Sequence, residues 1–344
     1  MKIGNFDTSK KVMLVAELSA NHKQDLNLAK ETIIAAKEAG ADAVKLQTYT
    51  PDTITIDCKN KDFFIDRGTL WDGEYLYDLY KRAYTPWEWH EELFQLCKSL
   101  DIECFSAAFD NSAVDLLEKL NTPAHKVASF EITDIPLIEY MAKNKKPTII
   151  STGISDLSDI ELAVNSVKKY HNDIMLLKCT SSYPAPLNEV NLLNILSLRD
   201  IFGVEMGISD HTLGISIPVA SVALGARLIE KHFILDKNVK TPDSDFSIDF
   251  KEFKNMVESV REVEESLGTK EYKVTPKMKI NKNGARSLYI VKDIPKDGII
   301  TEENVRSIRP GYGLHPKYLP QILGKRVNQD LKKGDRMELK YIKE

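Results

Sequence analysis

The sequence predicts a repeated β/α fold, drawn as an α/β (β/α)8 TIM barrel followed by a small C-terminal domain. Three observations predict it. Short β-branched or apolar runs alternate with longer amphipathic stretches from Val12 to about Leu267, and the runs number eight. Polar residues close most of these runs, as at the mouth of a barrel. Beyond a polar stretch after Leu267 the pattern changes to short extended runs and turns. A doubly wound open sheet fits the same alternation, because periodicity alone does not show closure.

In chain order the strand candidates are Val12–Leu18, Asp42–Gln47, Ile102–Ala107, His125–Phe130, Pro147–Ser151, Ile174–Thr180, Gly203–Ser209 and Arg227–His232. Helical patterns lie between them, including Leu26–Ala39, Pro86–Leu100, Asp156–Lys169 and Phe250–Leu267; the first and last carry apolar residues at intervals of three and four. The connection from Thr48 to Thr85 far exceeds a βα loop of about 2–6 residues and carries Trp71, Tyr75, Tyr77 and Tyr80, a sign of a functional loop. Residues 1–267 thus form the barrel, 268–284 a linker and 285–344 the small domain. That domain shows strand-like runs at Ser287–Val291 and Met337–Tyr341, with turns at Lys296-Asp297-Gly298 and Lys333-Gly334-Asp335.

Composition narrows the class. The 344 residues are 42% hydrophobic and 28% charged, enough for a large core and against disorder. No run of about 18 apolar residues occurs, and Met1-Lys2-Ile3-Gly4-Asn5-Phe6 lacks the form of a signal peptide, so a cytoplasmic enzyme is expected. Cys58, Cys97, Cys104 and Cys179 have no paired spacing and read as reduced thiols. A net charge of −4 argues against nucleic acid and anionic membranes as partners and leaves a small molecule.

Strand one closes with Ala16-Glu17-Leu18-Ser19-Ala20-Asn21-His22. In Val44-Lys45-Leu46-Gln47-Thr48, alternation turns Lys45 and Gln47 to one side, the barrel interior. Lys126-Val127-Ala128-Ser129-Phe130-Glu131, Ser151-Thr152-Gly153 and Lys178-Cys179-Thr180-Ser181-Ser182-Tyr183-Pro184 bring further lysines and hydroxyls to the same mouth. Ammonium groups buried in strands are costly unless paired, so a bound dianion is one explanation and barrel carboxylates are another. Glu17 and Glu131 are placed for proton transfer, or simply for pairing with a lysine. His211 in Gly207-Ile208-Ser209-Asp210-His211 and His232 in Glu230-Lys231-His232-Phe233 end adjacent strands; two imidazoles with open positions suit a Lewis-acid metal, while a single strand-end histidine is more often structural. His22, His90, His125, His171 and His315 carry no metal assignment. Asp243, after strand eight, fits sugar hydroxyls, a metal-bound water or simple turn chemistry.

These motifs, in this order, resemble the sialic-acid synthase family, most closely its pseudaminic acid branch, along essentially the whole length. The resemblance rests on the segments quoted above together with Ala39-Gly40-Ala41-Asp42, and at the C-terminal end on Ala285-Arg286-Ser287-Leu288 and Arg309-Pro310-Gly311-Tyr312-Gly313-Leu314-His315-Pro316, which are similar to the family's antifreeze-like (SAF) domain. It implies condensation of phosphoenolpyruvate with an amino sugar aldehyde, here 2,4-diacetamido-2,4,6-trideoxy-L-altrose. The aromatic loop at Gly68-Thr69-Leu70-Trp71 points to that branch, with N-acetylneuraminate or legionaminate synthesis as the alternative. It further implies a divalent metal on His211 and His232, manganese first and magnesium or cobalt next. Lys45, Lys126, Ser129, Ser151, Ser181 and Ser209 would surround phosphoenolpyruvate. Gln47, Tyr183 and Asp243 would meet the sugar, Glu17 and Glu131 would serve the chemistry, and Arg309 would enter the neighbouring site of a homodimer capped by the C-terminal domain. Two departures stand out: Ala107 replaces an expected hydroxyl, for which Ser106 or a backbone amide could substitute, and Gly284 stands where the family often has Phe. A noncatalytic carbohydrate- or ice-binding protein is the reading from a different class, and phosphate release would separate the two.

Overall fold

The computed structural model describes residues 1–343. Two compact units are present, Met1–Gly268 and a second that starts at Thr269. In the first, eight parallel strands close into a barrel: β1 (Met13–Glu17), β2 (Ala43–Thr48), β3 (Glu103–Ala108), β4 (His125–Val127), β5 (Thr148–Ser151), β6 (Ile174–Cys179), β7 (Glu205–Asp210) and β8 (Leu228–His232). Pairing of β8 with β1, from Leu228 opposite Met13 to His232 opposite Glu17, closes the ring and excludes the open sheet.

Both faces of every strand are covered, which is why most of them read as continuous apolar runs. Outward residues such as Leu14, Val44, Ile208 and Ile229 pack against α1 (Leu26–Glu38), α7 (Ser216–Ala223) and α8 (Phe250–Leu267). On the other arc Val127, Ile150, Leu176 and Met206 meet α3 (Asn111–Lys119), α4 (Ile135–Ala142), α5 (Leu157–Lys168) and α6 (Asn194–Phe202). Met13, Val15, Phe105, Ile149, Met175, Leu177 and Leu228 fill the lower interior. A short N-terminal hairpin, Lys2–Ile3 with Phe6–Asp7, adds the fully buried Ile3 to that cluster. The apolar layer ends where the strands approach their C-terminal ends; at the opposite end Glu103 and Glu205 accept from Asn5 and Thr8 of the N-terminal segment.

Helix starts follow local chemistry. Asp25 caps α1, while Asp156 and Asp249 form capping boxes with Asp159 and Glu252 at α5 and α8. Three predicted bounds shift. Gly203 ends α6 in the left-handed region at φ 65°, so β7 begins at Glu205 and reaches Asp210. β4 stops at Val127, and Ser129–Glu131 coil into a 3₁₀ turn. The predicted helix Pro86–Leu100 becomes a 3₁₀ turn, Trp87–Trp89, followed by α2 (His90–Ser99). No described helix is long and apolar enough to cross a membrane.

In the second unit, β9 (Ser287–Ile290) pairs antiparallel with β10 (Val305–Ile308) around Leu288, Ile290, Ile294, Ile300 and Val305. Met337–Tyr341 is not a strand. Met337 exchanges backbone bonds with Leu288 and Leu314, and Leu339–Tyr341 then turns as a 3₁₀ helix, so the segment closes the core through isolated bonds. Pro276–Asn281, N-capped by Thr275, is helical.

Candidate active site

Four charged side chains meet on the inner wall above the apolar plug. Lys45 on β2 lies 2.7 Å from Glu17 on β1 and 3.7 Å from Glu230 on β8. Lys126 on β4 lies 4.0 Å from Glu230 and donates to Ser151 Oγ at 2.7 Å and to the Val127 carbonyl at 3.0 Å. Ser209 Oγ on β7 donates to Glu230 at 2.9 Å. Gln47 Nε2 donates to Glu17 at 3.2 Å and to Ser19 Oγ at 2.7 Å. Parallel register produces this meeting: Glu17 stands opposite Lys45, and Glu230 opposite Ser209.

Burial and pairing pull these groups apart in acidity. Burial pushes Glu17 up to about 7 against the pull of Lys45. In Glu230 burial also raises the carboxyl, but Lys126 and Lys45 together outweigh it and hold it below its usual range. One carboxyl is therefore poised to exchange a proton near neutrality and the other stays ionised. Burial lowers Lys126, which has only half a carboxylate's attention, whereas Glu17 and Glu230 overcome burial at Lys45 and raise it.

Beside Lys126 the hydroxyls crowd together. The Gly153 amide donates to Ser129 Oγ at 3.1 Å. A Cβ at Gly153 would fall 2.0 Å from Ser181 Oγ, 2.7 Å from Ser129 Oγ and 3.0 Å from Cys179 Sγ, so only glycine admits this convergence. Ser129, Ser151 and Ser181 thus surround one small volume with an ammonium at its edge, a donor set that suits a phosphate or carboxylate.

His211 and His232 face each other across the top, ring centroids 5.3 Å apart. The Thr180 carbonyl lies 3.0 Å from His211 Nδ1, which leaves Nε2 free, and His232 Nδ1 is buried without a hydrogen-bond partner. Burial, followed by neighbouring His211, holds His232 well below its usual range and keeps its imidazole neutral. At His211 burial also lowers the imidazole, but Cys179 and the Thr180 carbonyl outweigh it and raise it, so His211 gives up a proton when the two imidazoles on these adjacent strand ends take a divalent metal. Among the described residues no three His, Cys, Asp or Glu side chains gather into a fuller ligand set, so these two would share the ion with water or substrate. Asp243 Oδ2 accepts from the Ala20 amide at 3.2 Å and lies 3.8 Å from His232 Nδ1. Tyr183, centroid 4.4 Å from His211, and Phe246, 4.8 Å from His232, wall the pair. Trp71, from the long second connection, joins that wall 5.5 Å from Tyr183 and donates its indole N–H to the Pro242 carbonyl.

Several expectations need correction. Lys178 faces outward, since alternation along β6 turns Leu177 and Cys179 inward. Ser106 also points out of the barrel, bonded to Thr48 Oγ1, and does not replace the hydroxyl missing at Ala107. Glu131 sits in the 3₁₀ turn and not at a strand end; burial nonetheless pushes it up to about 7, with Lys126 pulling the other way. Arg309, whose expected role lies beyond a single chain and is not corrected by it, is exposed, follows β10 and belongs to the second unit. Glu230, Cys179 and Phe246 carry no role in the sequence reading. Glu230 was legible: if His232 points inward, period two turns Glu230 inward as well. Phe246 reaches the site from a loop, for which no periodicity exists.

The NeuB family model matches residues 32–272 and the SAF domain model residues 285–335. The pseudaminic acid synthase of Campylobacter jejuni is 48% identical over 339 residues, covering 98% of both chains. That of Helicobacter pylori is 50% identical over 321 residues, covering 93% of this chain and 94% of the other. Among solved structures, an N-acetylneuraminic acid synthetase from Leptospira borgpetersenii superposes with a TM-score of 0.73 at 30% identity, covering 82% of this chain and 94% of that one. With a closed parallel barrel, a C-terminal SAF domain and relatives of this identity along nearly its full length, the chain belongs to the NeuB family.

Proposed function

We propose that the chain is a pseudaminic acid synthase, an enzyme that joins phosphoenolpyruvate, 2,4-diacetamido-2,4,6-trideoxy-L-altrose and water into pseudaminate and phosphate. Near-full-length identity to two pseudaminic acid synthases carries this reading. C3 of phosphoenolpyruvate bonds to the aldehyde carbon, whose oxygen gains a proton, and C2 becomes cationic. Water adds at C2 and loses a proton; the C2–O bond to phosphate then breaks, leaving a 2-keto acid and inorganic phosphate.

Each buried group has a place in that sequence. Lys45, Lys126, Ser129, Ser151, Ser181 and Ser209 surround phosphoenolpyruvate, and their fixed donors replace its hydration shell. Glu230, ionised between two lysines, faces the cation that develops at C2. Glu17, with its carboxyl near 7, takes the proton of the attacking water, and Glu131 has the same poise. Gln47, Tyr183 and Asp243 orient the sugar. A divalent metal held by His211 and His232, manganese ahead of magnesium or cobalt, would supply Lewis-acid polarisation of the sugar carbonyl. The family resemblance also supports a cytoplasmic homodimer in which Arg309 enters the neighbouring site and the SAF domain caps it against water.

A panel of amino sugar aldehydes offered with phosphoenolpyruvate, read by mass spectrometry and phosphate release, tests the reading. The altrose derivative should be turned over at least about tenfold faster than N-acetylmannosamine or the legionaminate precursor, the discrimination that about 1.4 kcal/mol of transition-state binding provides. Preference for another sugar would overturn the assignment within the family, and absence of phosphate release with every sugar would overturn the enzyme.

A further inference from the structure

Behind the mouth, on the outer side of β5 and β6, lies a cavity of about 350 Å³ to which the reaction above assigns nothing. Thr152, Ser155, Lys178, Thr180, Asn194 and Ser197 give it a polar lining, and Ile160 and Leu198 an apolar one. Its walls are the ends of two barrel strands and the first turns of α5 and α6. Gly153 and Cys179 line it too. They also border the serine cluster of the active site, so the wall between the two spaces is about one residue thick.

Lys178 is the feature that asks for a ligand. Its residue is 8% exposed, yet no carboxylate of the described residues comes within 4.0 Å; its ammonium donates only to the Cys179 carbonyl and to Thr180 Oγ1 at 3.2 Å. The other three buried strand lysines each have a carboxylate within that distance. Burial lowers the pKa of Lys178, as expected for an ammonium lacking a counter-charge. Ser155 Oγ, on the same lining, is buried without a hydrogen-bond partner. A desolvated cation and an unpaired hydroxyl lining one cavity describe a site with its occupant missing from the balance of charge and hydrogen bonds. Glu189 borders the cavity from an exposed position and sets an upper limit on the negative charge it accepts.

We infer that this cavity is a second small-anion site, which holds a phosphate or carboxylate group on Lys178 with help from Ser155 and Thr180, outside the catalytic barrel. The volume exceeds that of a bare phosphate, and Asn194 and Ser197 supply further donors and acceptors for polar substituents on the anion.

Titration calorimetry of the full-length, metal-loaded protein with inorganic phosphate tests this, with pyruvate as the carboxylate arm. Wild type should bind two phosphates per chain. Lys178→Met should bind one, with turnover at saturating substrates within about twofold of wild type, while Lys126→Met should lose the other. Glu189→Gln should tighten the Lys178 site severalfold by removing a like charge. If Lys178→Met does not fold, Ser197→Leu, at an exposed position of α6, fills the cavity from outside and should remove the same site. Pyruvate bound at Lys178 more tightly than phosphate identifies a carboxylate ligand, and the reverse a phosphate. One phosphate per wild-type chain, or two in both Lys178→Met and Ser197→Leu, overturns the inference. Failure of the proposed reaction is distinguishable: Lys126→Met would then leave the stoichiometry unchanged while Lys178→Met still lowered it.

Discussion

The barrel wall buries four strand lysines, two facing in and two facing out; outward Lys178 has no carboxylate partner, and the three that are ion-paired are held differently on the two sides. Inside, Lys45 and Lys126 share Glu17 and Glu230 at distances from 2.7 to 4.0 Å, an arrangement with lone pairs and ammonium protons to spare. Outside, Lys231 is fully buried against Asp210 and the Thr212 carbonyl, and Asp210 accepts in addition from the Thr212 amide and hydroxyl. That pair is closed on itself. The contrast teaches that burial of a lysine does not mark a site; incomplete pairing does. An ion pair that satisfies its own donors staples the barrel to its surroundings, whereas one that leaves them open can exchange partners with a substrate.

The sharpest way to break this comparison is to remove one lysine from each side. Lys231→Met leaves Asp210 charged and buried, so stability should fall by about 3–5 kcal/mol in urea unfolding, with kcat/KM of the folded protein within about threefold of wild type. A loss under about 1 kcal/mol would mean that Asp210 is not held by the pair. Lys126→Met should do the opposite. If Lys126 holds phosphoenolpyruvate as proposed, loss of even one charge-assisted hydrogen bond, worth about 1.5–3 kcal/mol, lowers kcat/KM for that substrate by at least about 10- to 150-fold, with a smaller stability change than Lys231→Met. Equal activity in the two variants would erase the distinction between the walls.

The strand tips extend it. His232→Ala, next to Lys231 but turned inward, should weaken binding of cobalt at least about 100-fold, since even groups that only support a ligand contribute 10- to 100-fold. Cobalt absorption reads this without turnover, and unchanged affinity would remove the metal assignment. The smallest effect concerns protons. Glu131 titrates near 7 in the folded chain against 4.5 unperturbed, so the folded state binds the extra proton between those values. Stability should therefore fall as pH rises from about 4.5 to about 7, and level off above, with one such group contributing at most about 1.4 kcal/mol per pH unit. Glu131→Gln should flatten the slope between pH 5 and 7 by part of that amount, and Glu17, shifted the same way, accounts for a further part. An unaltered slope in Glu131→Gln would show that its carboxyl is solvated.

How far these groups were legible depended on the kind of element that carries them. Along β2 the alternation Lys45, Leu46, Gln47 reads directly, because successive side chains of a strand face opposite ways. Along β6 the same rule, applied from Leu177, sends Lys178 outward, but the parity of each strand is set by its neighbours and not by its own residues. Ser106 shows the same ambiguity: it lies one residue from the missing hydroxyl at Ala107, and that single step carries it to the far side of the wall, against Thr48 and His90. Phe246 and Trp71 arrive from loops, whose path no period describes.

Eight alternating units, the apolar runs and the inventory of polar strand ends were determined by the sequence alone, because propensity and patterning act over a few residues. Ring closure, strand parity, the pairing of Glu230 with two lysines and the face-to-face histidines were decided only in the tertiary structure. Those features join residues up to some 200 positions apart, and their physical cause is register: once β8 meets β1 with His232 opposite Glu17, every inward side chain at the mouth has its neighbours assigned.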